Sequence, residues 1–130
     1  MSANTDRYEN AVARYFEAWN ARGSEALAKA VDAAWARDGR YTDPLADAAG
    51  HEQIVALIAA VQSQFPGFSF RPTGAADGHH DTARFSWELV SEKDGSAPVA
   101  GSDVITLDAR DRITAVLGFL DRVPAENREA

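Results

Sequence analysis

Asp103 occupies a position where a strand should place an apolar side chain. In Val99-Ala-Gly-Ser-Asp-Val-Ile-Thr-Leu107, one parity reads Val99, Gly101, Asp103, Ile105 and Leu107. Side chains of a strand alternate between its faces, so Asp103 shares a core-facing row with Val99, Ile105 and Leu107. A carboxylate there is costly to desolvate unless it is paired, hydrogen-bonded or held neutral. Burial raises the pKa of such a group toward the range in which it can donate a proton, so Asp103 is a candidate for acid–base chemistry. The alternative is a shifted register, or a bulge at Gly101 that turns Asp103 outward. Tyr15 also lies on an apolar row, since Tyr8, Val12, Tyr15, Phe16 and Trp19 follow helical spacing. As a purely structural residue it would need only some buried partner for its hydroxyl.

Other chemistry is largely excluded. The chain has no cysteine, which rules out disulfides, thiolate metal sites and cysteine nucleophiles. His79, His80 and Asp81 are adjacent, but neighbouring strand residues point to opposite faces, so the two histidines cannot easily share one ion. Phosphate-binding glycine loops, nucleophile elbows and metal-ligand spacings are missing, and no cofactor is expected. A net charge of -7 without a Lys/Arg cluster argues against nucleic acid. The opening Met-Ser-Ala-Asn-Thr-Asp-Arg has no apolar core of a signal peptide, and no stretch reaches membrane-spanning length. A cytoplasmic protein that does not bind membranes is therefore the expectation.

The elements that must position these groups fit one domain across 1–130, with a core of about 8–122. A first helix ends near Gly23. Ser24 caps a second helix whose stripe is Leu27, Val31, Ala34 and Trp35. Arg40-Tyr-Thr-Asp-Pro44 reads as a short extended piece, because a proline disfavours helix at the residue before it. Ile54, Leu57, Ile58, Val61 and Phe65 mark a third helix from near Gly50 to Pro66. Strands are expected at Phe68–Pro72, confined by its proline to an edge or an end, at Ala83–Val90, at Val99–Leu107 and at Ile113–Leu120. Turns are expected at Asp77-Gly78, at Lys93–Ser96 and at Asp108–Asp111. The tail from Pro124 reads as polar and frayed. Helices first and strands afterwards indicate an α+β domain, a cone-shaped and strongly curved, mostly antiparallel sheet wrapped around three N-terminal helices. Such a cone leaves an apolar cavity with a mouth, suited to a small molecule.

Tyr15-Phe-Glu-Ala-Trp-Asn20, Tyr41-Thr-Asp-Pro44, Gly50-His-Glu-Gln-Ile54, Gly101-Ser-Asp-Val104 and the closing Asp111 to Asp121 together resemble the nuclear transport factor 2-like superfamily, also called SnoaL-like or ketosteroid isomerase-like. That superfamily hosts isomerases, cyclases, dehydratases, epoxide hydrolases and proteins that only bind, so the resemblance implies the fold more than an activity. Within it, the motifs around Tyr15, Asp43 and Asp103 are similar, in order, to the catalytic tyrosine and two aspartates of Δ5-3-ketosteroid isomerases.

The resemblance implies acid–base proton transfer next to a carbonyl. Asp43 would carry the proton, while Tyr15 and a neutral Asp103 would donate hydrogen bonds to the developing dienolate oxygen. Asp43 before a proline is also simply a good turn residue. Trp19, Trp35, Phe65, Phe68, Trp87 and Phe119 are the expected pocket lining, and several of them could narrow the cavity enough to exclude a steroid in favour of a smaller ketone or enol. The segment Ala33 to Gly39 looks longer than in that enzyme, and an inserted helical turn there would displace Asp43. His51, near the start of the third helix, is either an acid or base, as in cyclases and dehydratases of this fold, or an exposed helix-start residue. Arg84 could join Asp103 or Asp121 in an epoxide hydrolase-like set, but its parity opposes Phe85, Trp87 and Leu89 and places it outside. A non-catalytic protein binding a small apolar ligand and a SnoaL-like polyketide cyclase remain the alternatives. The resemblance further implies a homodimer formed through the outer face of the sheet.

Overall fold

The computed structural model describes residues 2–124. The tail expected to fray lies outside the described residues beyond Pro124. Three helices, α1 (Ser2–Asn20), α2 (Ser24–Ala34) and α3 (His51–Gln64), accompany seven strands. These are β1 (Trp35–Asp43), β2 (Ala46–Ala49), β3 (Phe68–Pro72), β4 (Asp77–His79), β5 (Thr82–Ser91), β6 (Val99–Leu107) and β7 (Ile113–Arg122). They form a single curved, unclosed sheet in the order β2-β1-β7-β6-β5-β3, with β4 also pairing β5. Only the β1–β7 pair is parallel. The helices fill the concave side, and Tyr8, Val12, Tyr15, Phe16 and Trp19 of α1 are all buried against it. The expected α+β cone is the fold observed, and β3 with its Pro72 lies at the sheet edge.

Three local readings are corrected. Trp35 does not continue α2. The helix stops at Ala34 and Trp35 opens β1 in an extended conformation, fully buried. The longer segment up to Gly39 is accommodated as an irregularity in the β1–β7 register, where Trp35 faces Ile113 and Arg40 faces Ala115. Gly39 is needed there, because a Cβ would sit 2.6 Å from Trp35 Cδ1. No helical turn is inserted. Asp77-Gly78 is not a turn but part of β4, and the reversal comes one step later, with His80 in the left-handed region at φ 50°. Gly78 serves close packing, since a Cβ there would lie 2.5 Å from the Tyr8 ring. Finally, β2 was hidden behind Pro44 because four residues of small and acidic type carry no strand signal.

The bulge that could have turned Asp103 outward exists, but on the other strand. Ala100 pairs with Arg122 and Gly101 with Leu120, which leaves Asp121 of β7 as the extra residue. Strand β6 therefore keeps its alternation, and Asp103 stays on the concave side at 1% exposure.

Candidate functional site

Asp103 pairs across the sheet with Phe85 on one side and Gly118 on the other. Above it, α1 delivers Tyr15, whose hydroxyl donates to Asp103 Oδ2 at 2.5 Å. Both groups are buried, and Phe85, Phe16 and Trp35 pack around the phenol ring. Burial pushes the Asp103 carboxyl up to about 6. The Tyr15 hydrogen bond and the nearby Trp87 indole oppose that rise, and the charges of Asp43 and Asp121 add to it. Burial, and then the charge of Asp103, hold the Tyr15 phenol well above its ordinary range, so it acts as a hydrogen-bond donor and not as a base.

Asp43 reaches the same region from β1. Thr42 faces Leu117 across the sheet, so Asp43 comes alongside Gly118. A Cβ on Gly118 would lie 2.9 Å from Asp103 Oδ1 and 3.2 Å from Asp43 Cβ. Gly118 is thus the spacer that lets two aspartates flank one strand position on the concave face. The sequence reading missed it, although a glycine inside an apolar strand is a signal for close approach. Asp43 Oδ1 accepts the backbone N–H groups of Leu45 and Ala46 at 2.8 and 2.9 Å, a turn that fixes the β1–β2 hairpin. Its Oδ2 accepts the hydroxyl of Tyr41 at 2.6 Å. Burial and the bond to Asp43 raise the Tyr41 phenol beyond its ordinary range. Tyr41 is a second missed residue. It precedes Asp43 by two and therefore shares its face of the strand.

A cavity of about 160 Å³ opens beside these pairs, walled in part by Tyr15, Trp19, Tyr41, Asp43, Phe65 and Trp87. Asp103 is not part of the wall and lies behind Tyr15. Trp19, Phe65 and Trp87 line this cavity. Trp35 instead lies in the core under Tyr15, and Phe68 packs on Phe65 outside the cavity wall. Phe119 is corrected outright: it alternates with Gly118, faces the convex side and is 58% exposed. Leu45, 84% exposed, stands at the rim and was not anticipated.

The remaining candidates are placed elsewhere. His51 Nε2 lies 3.0 Å from the carbonyls of both Trp35 and Ala36, which ties the start of α3 to the α2–β1 junction, away from the cavity. Arg84 is exposed on the convex side and paired with Asp77 at 3.1 Å. His79 and His80 are exposed, and among the described residues no group of three or more His, Cys, Asp or Glu is placed to hold a metal ion. Among the same residues no helix is long and apolar enough to cross a membrane.

Comparison with known proteins agrees with this fold. Residues 12–116 match the family model of the SnoaL-like domain. A protein of Agrobacterium tumefaciens str. C58, provisionally named an isomerase of the SnoaL-like family, superposes with a TM-score of 0.84 at 40% identity, covering 89% of this chain and 98% of that one. A protein of Jannaschia sp. CCS1, provisionally named a SnoaL-like polyketide cyclase, gives a TM-score of 0.75 at 18% identity, covering 93% and 90%. A Sinorhizobium meliloti protein provisionally named a polyketide cyclase gives 0.65 at 20%, covering 84% and 93%; these last two show the fold alone. No match was found among curated proteins. The chain belongs to the SnoaL-like domain family, within the nuclear transport factor 2-like fold.

Proposed function

We propose that the cavity transfers a proton next to the carbonyl of a compound no larger than about one substituted six-membered ring. The observation that carries this reading is the buried Tyr15–Asp103 bond at the back of an apolar cavity whose wall also contains the carboxylate of Asp43. Asp43 is the base, removing a proton from the carbon between the carbonyl and a double bond and returning it to the far end of that double bond. Tyr15 holds the carbonyl oxygen as negative charge develops on it, in a site where little water screens the interaction. Asp103 acts through Tyr15: in its neutral form it donates to the phenol oxygen and leaves the phenol proton for the ligand. The size limit follows from the volume, because a cavity of roughly 150 Å³ accepts benzene while pockets for drug-sized ligands start at about 300 Å³. A four-ring steroid exceeds that volume. The Agrobacterium relative, provisionally named an isomerase, supports the same reaction class.

The test is conversion of cyclohex-3-enone to the conjugated cyclohex-2-enone, with wild type compared with Asp43→Asn and Asp103→Leu. Turnover lost in both variants supports the assignment. No turnover by the wild type on this and related small ketones sinks the isomerase, and equal rates in all three proteins leave an enzyme with other catalytic groups. One observation favours a second reading, binding without catalysis: three donors already occupy three of the four lone pairs of Asp43. In that case the cavity holds a small apolar carbonyl compound with unchanged bonds. We also propose a homodimer through the convex face, where Leu117 and Phe119 are exposed; a monomer by sedimentation at micromolar concentration would contradict it.

A further inference from the structure

Three buried indole N–H groups, those of Trp19, Trp35 and Trp87, have no hydrogen-bond partner among the described residues. Native interiors seldom leave such donors unpaired, and each exception asks for a reason. Two of the three belong to the cavity wall, with Trp19 5% and Trp87 8% exposed. The placement of Trp87 is built into the sheet. Trp87 faces Gly101 in the β5–β6 register, and Phe85 faces Asp103. A Cβ on residue 101 would overlap Trp87 Cζ2 and Cε2, so glycine is what lets the ring lie down over β6. Cε2 is bonded to Nε1, so it is the polar edge of the indole that lies over the strand, diagonally across from Asp103 on the same face. The carboxyl has one hydrogen-bond partner among the described residues, Tyr15, and its Oδ1 is unclaimed.

We propose that Trp87, laid over Gly101, is a positioning residue that sets the proton occupancy of the Tyr15–Asp103 pair, its indole N–H closing on Asp103 when that carboxyl is ionised. The inference rests on the reading of this pair as the group that holds the ligand oxygen. A phenol has one proton to donate. With Asp103 ionised, Tyr15 gives that proton to the carboxylate and has none for a ligand. With Asp103 protonated, Asp103 donates to the phenol oxygen and the phenol proton becomes free. A second donor on the carboxylate favours the first state and therefore lowers the pH at which the pair changes over. The other groups facing Asp103 are Tyr15 from α1, Tyr41 and Asp43 from β1 and Asp121 from β7. None is a cation. Arg84 of β5 points to the opposite side of the sheet. Among the described residues Tyr41 gives its proton to Asp43, which leaves the indole as the donor beside the phenol that can hold the ionised form.

The chain has three tryptophans, so its indole N–H groups give three resonances, and the one that disappears in Trp87→Phe is that of Trp87. In the wild type the Trp87 resonance is expected to move with the midpoint of the Asp103 carboxyl as pH is changed. In Trp87→Phe the Asp103 midpoint, read from carboxyl carbon shifts, is expected to rise by about one unit. The alkaline limb of any catalysed proton transfer should move up with it. A Trp87 resonance indifferent to Asp103, or an Asp103 midpoint unchanged in a folded Trp87→Phe variant, overturns the proposal. If the variant does not fold, the wild-type titration decides alone. If no protein shows turnover, the isomerase reading fails while the two titrations still decide this one.

Discussion

The two phenol–carboxylate pairs around the cavity are made by opposite routes. Tyr41 and Asp43 are neighbours on one strand, two residues apart, and Asp43 is further held by the backbone of its own turn. Tyr15 and Asp103 are 88 residues apart in sequence and meet only because α1 lies in the curve of the sheet. The first pair is a local structure that exists once β1 and β2 form a hairpin. The second is a product of the whole fold, with a carboxyl taken out of water and given, among the described residues, a single hydrogen-bond partner. The same chemistry thus appears once with its polar atoms satisfied and once with the cost of desolvation only partly compensated. That imbalance is the form expected of two acids given different tasks, since environment rather than residue type sets which one carries a proton.

Exchanging the roles produces the largest effect. Asp43→Asn keeps an oxygen for the Leu45 and Ala46 N–H groups but removes the base, so turnover should fall by roughly 10²–10⁴ while the melting temperature hardly moves. Tyr15→Phe should cost about 10²–10³ in kcat, the size of one oxyanion donor, and should destabilise as well, because Asp103 loses its partner. If Asp43→Asn unfolds the protein while Tyr15→Phe leaves it intact, the contrast between a local and a tertiary pair is mistaken.

Stability against pH separates the pairs next. The folded pKa of Asp103, about 6, lies above its ordinary value of 3.8. The native state therefore binds this proton more tightly than the unfolded chain does. The contribution to stability is complete below about pH 4 and is lost as pH rises through about 6. Two units correspond to on the order of 3 kcal/mol for a group this deeply buried. Denaturant melts from pH 4 to 8 should show wild type losing stability relative to Asp103→Asn across that window. A constant difference would mean that the carboxyl is not desolvated in solution.

What the sequence showed and hid follows the same division. Asp103 was legible because a single charged residue interrupts a clean alternation of apolar ones. The buried rows of α1 and β5 were legible because Tyr8 to Trp19 and Phe85 to Leu89 keep their periods without interruption. Asp43 could be singled out only through family resemblance, because an Asp-Pro pair makes a turn in any fold. Trp35 was misread because its spacing from Val31 satisfies a helix as well as a buried strand, and only the bulge against β7 settles which. Phe119 was misplaced by hydrophobicity: side chains of a strand alternate, and its parity beside Gly118 sends it outward. Gly118 and Gly101 were overlooked as site residues because what they contribute is missing volume, which has no meaning until the facing side chains are known.

Gly118 tests whether the two aspartates need that volume. In Gly118→Ala the new methyl meets Asp103 Oδ1 first and Asp43 Cβ second. Overpacking of this kind should cost about 1–3 kcal/mol. Because the nearest atom belongs to Asp103, the cost should drop by more than half in an Asp103→Ala background, which a double-mutant cycle in urea reads directly. Additive costs would place the strain in the β7 backbone and remove Gly118 from the site.

The smallest effect is expected at Tyr41. Tyr41→Phe removes one hydroxyl, donated to an Asp43 that keeps two backbone donors, so about 1 kcal/mol of stability should be lost. The backbone turn holds Asp43 in place, so its carboxylate remains at the cavity wall with Oδ2 now open to accept a proton. Turnover should then stay within about threefold of wild type, a small number beside the loss in Tyr15→Phe. The comparison is sharp because both variants delete a single phenolic oxygen bonded to an aspartate. A large loss in Tyr41→Phe would show that the local pair is the one that holds the ligand oxygen, and would reverse the assignment of the two carboxyls.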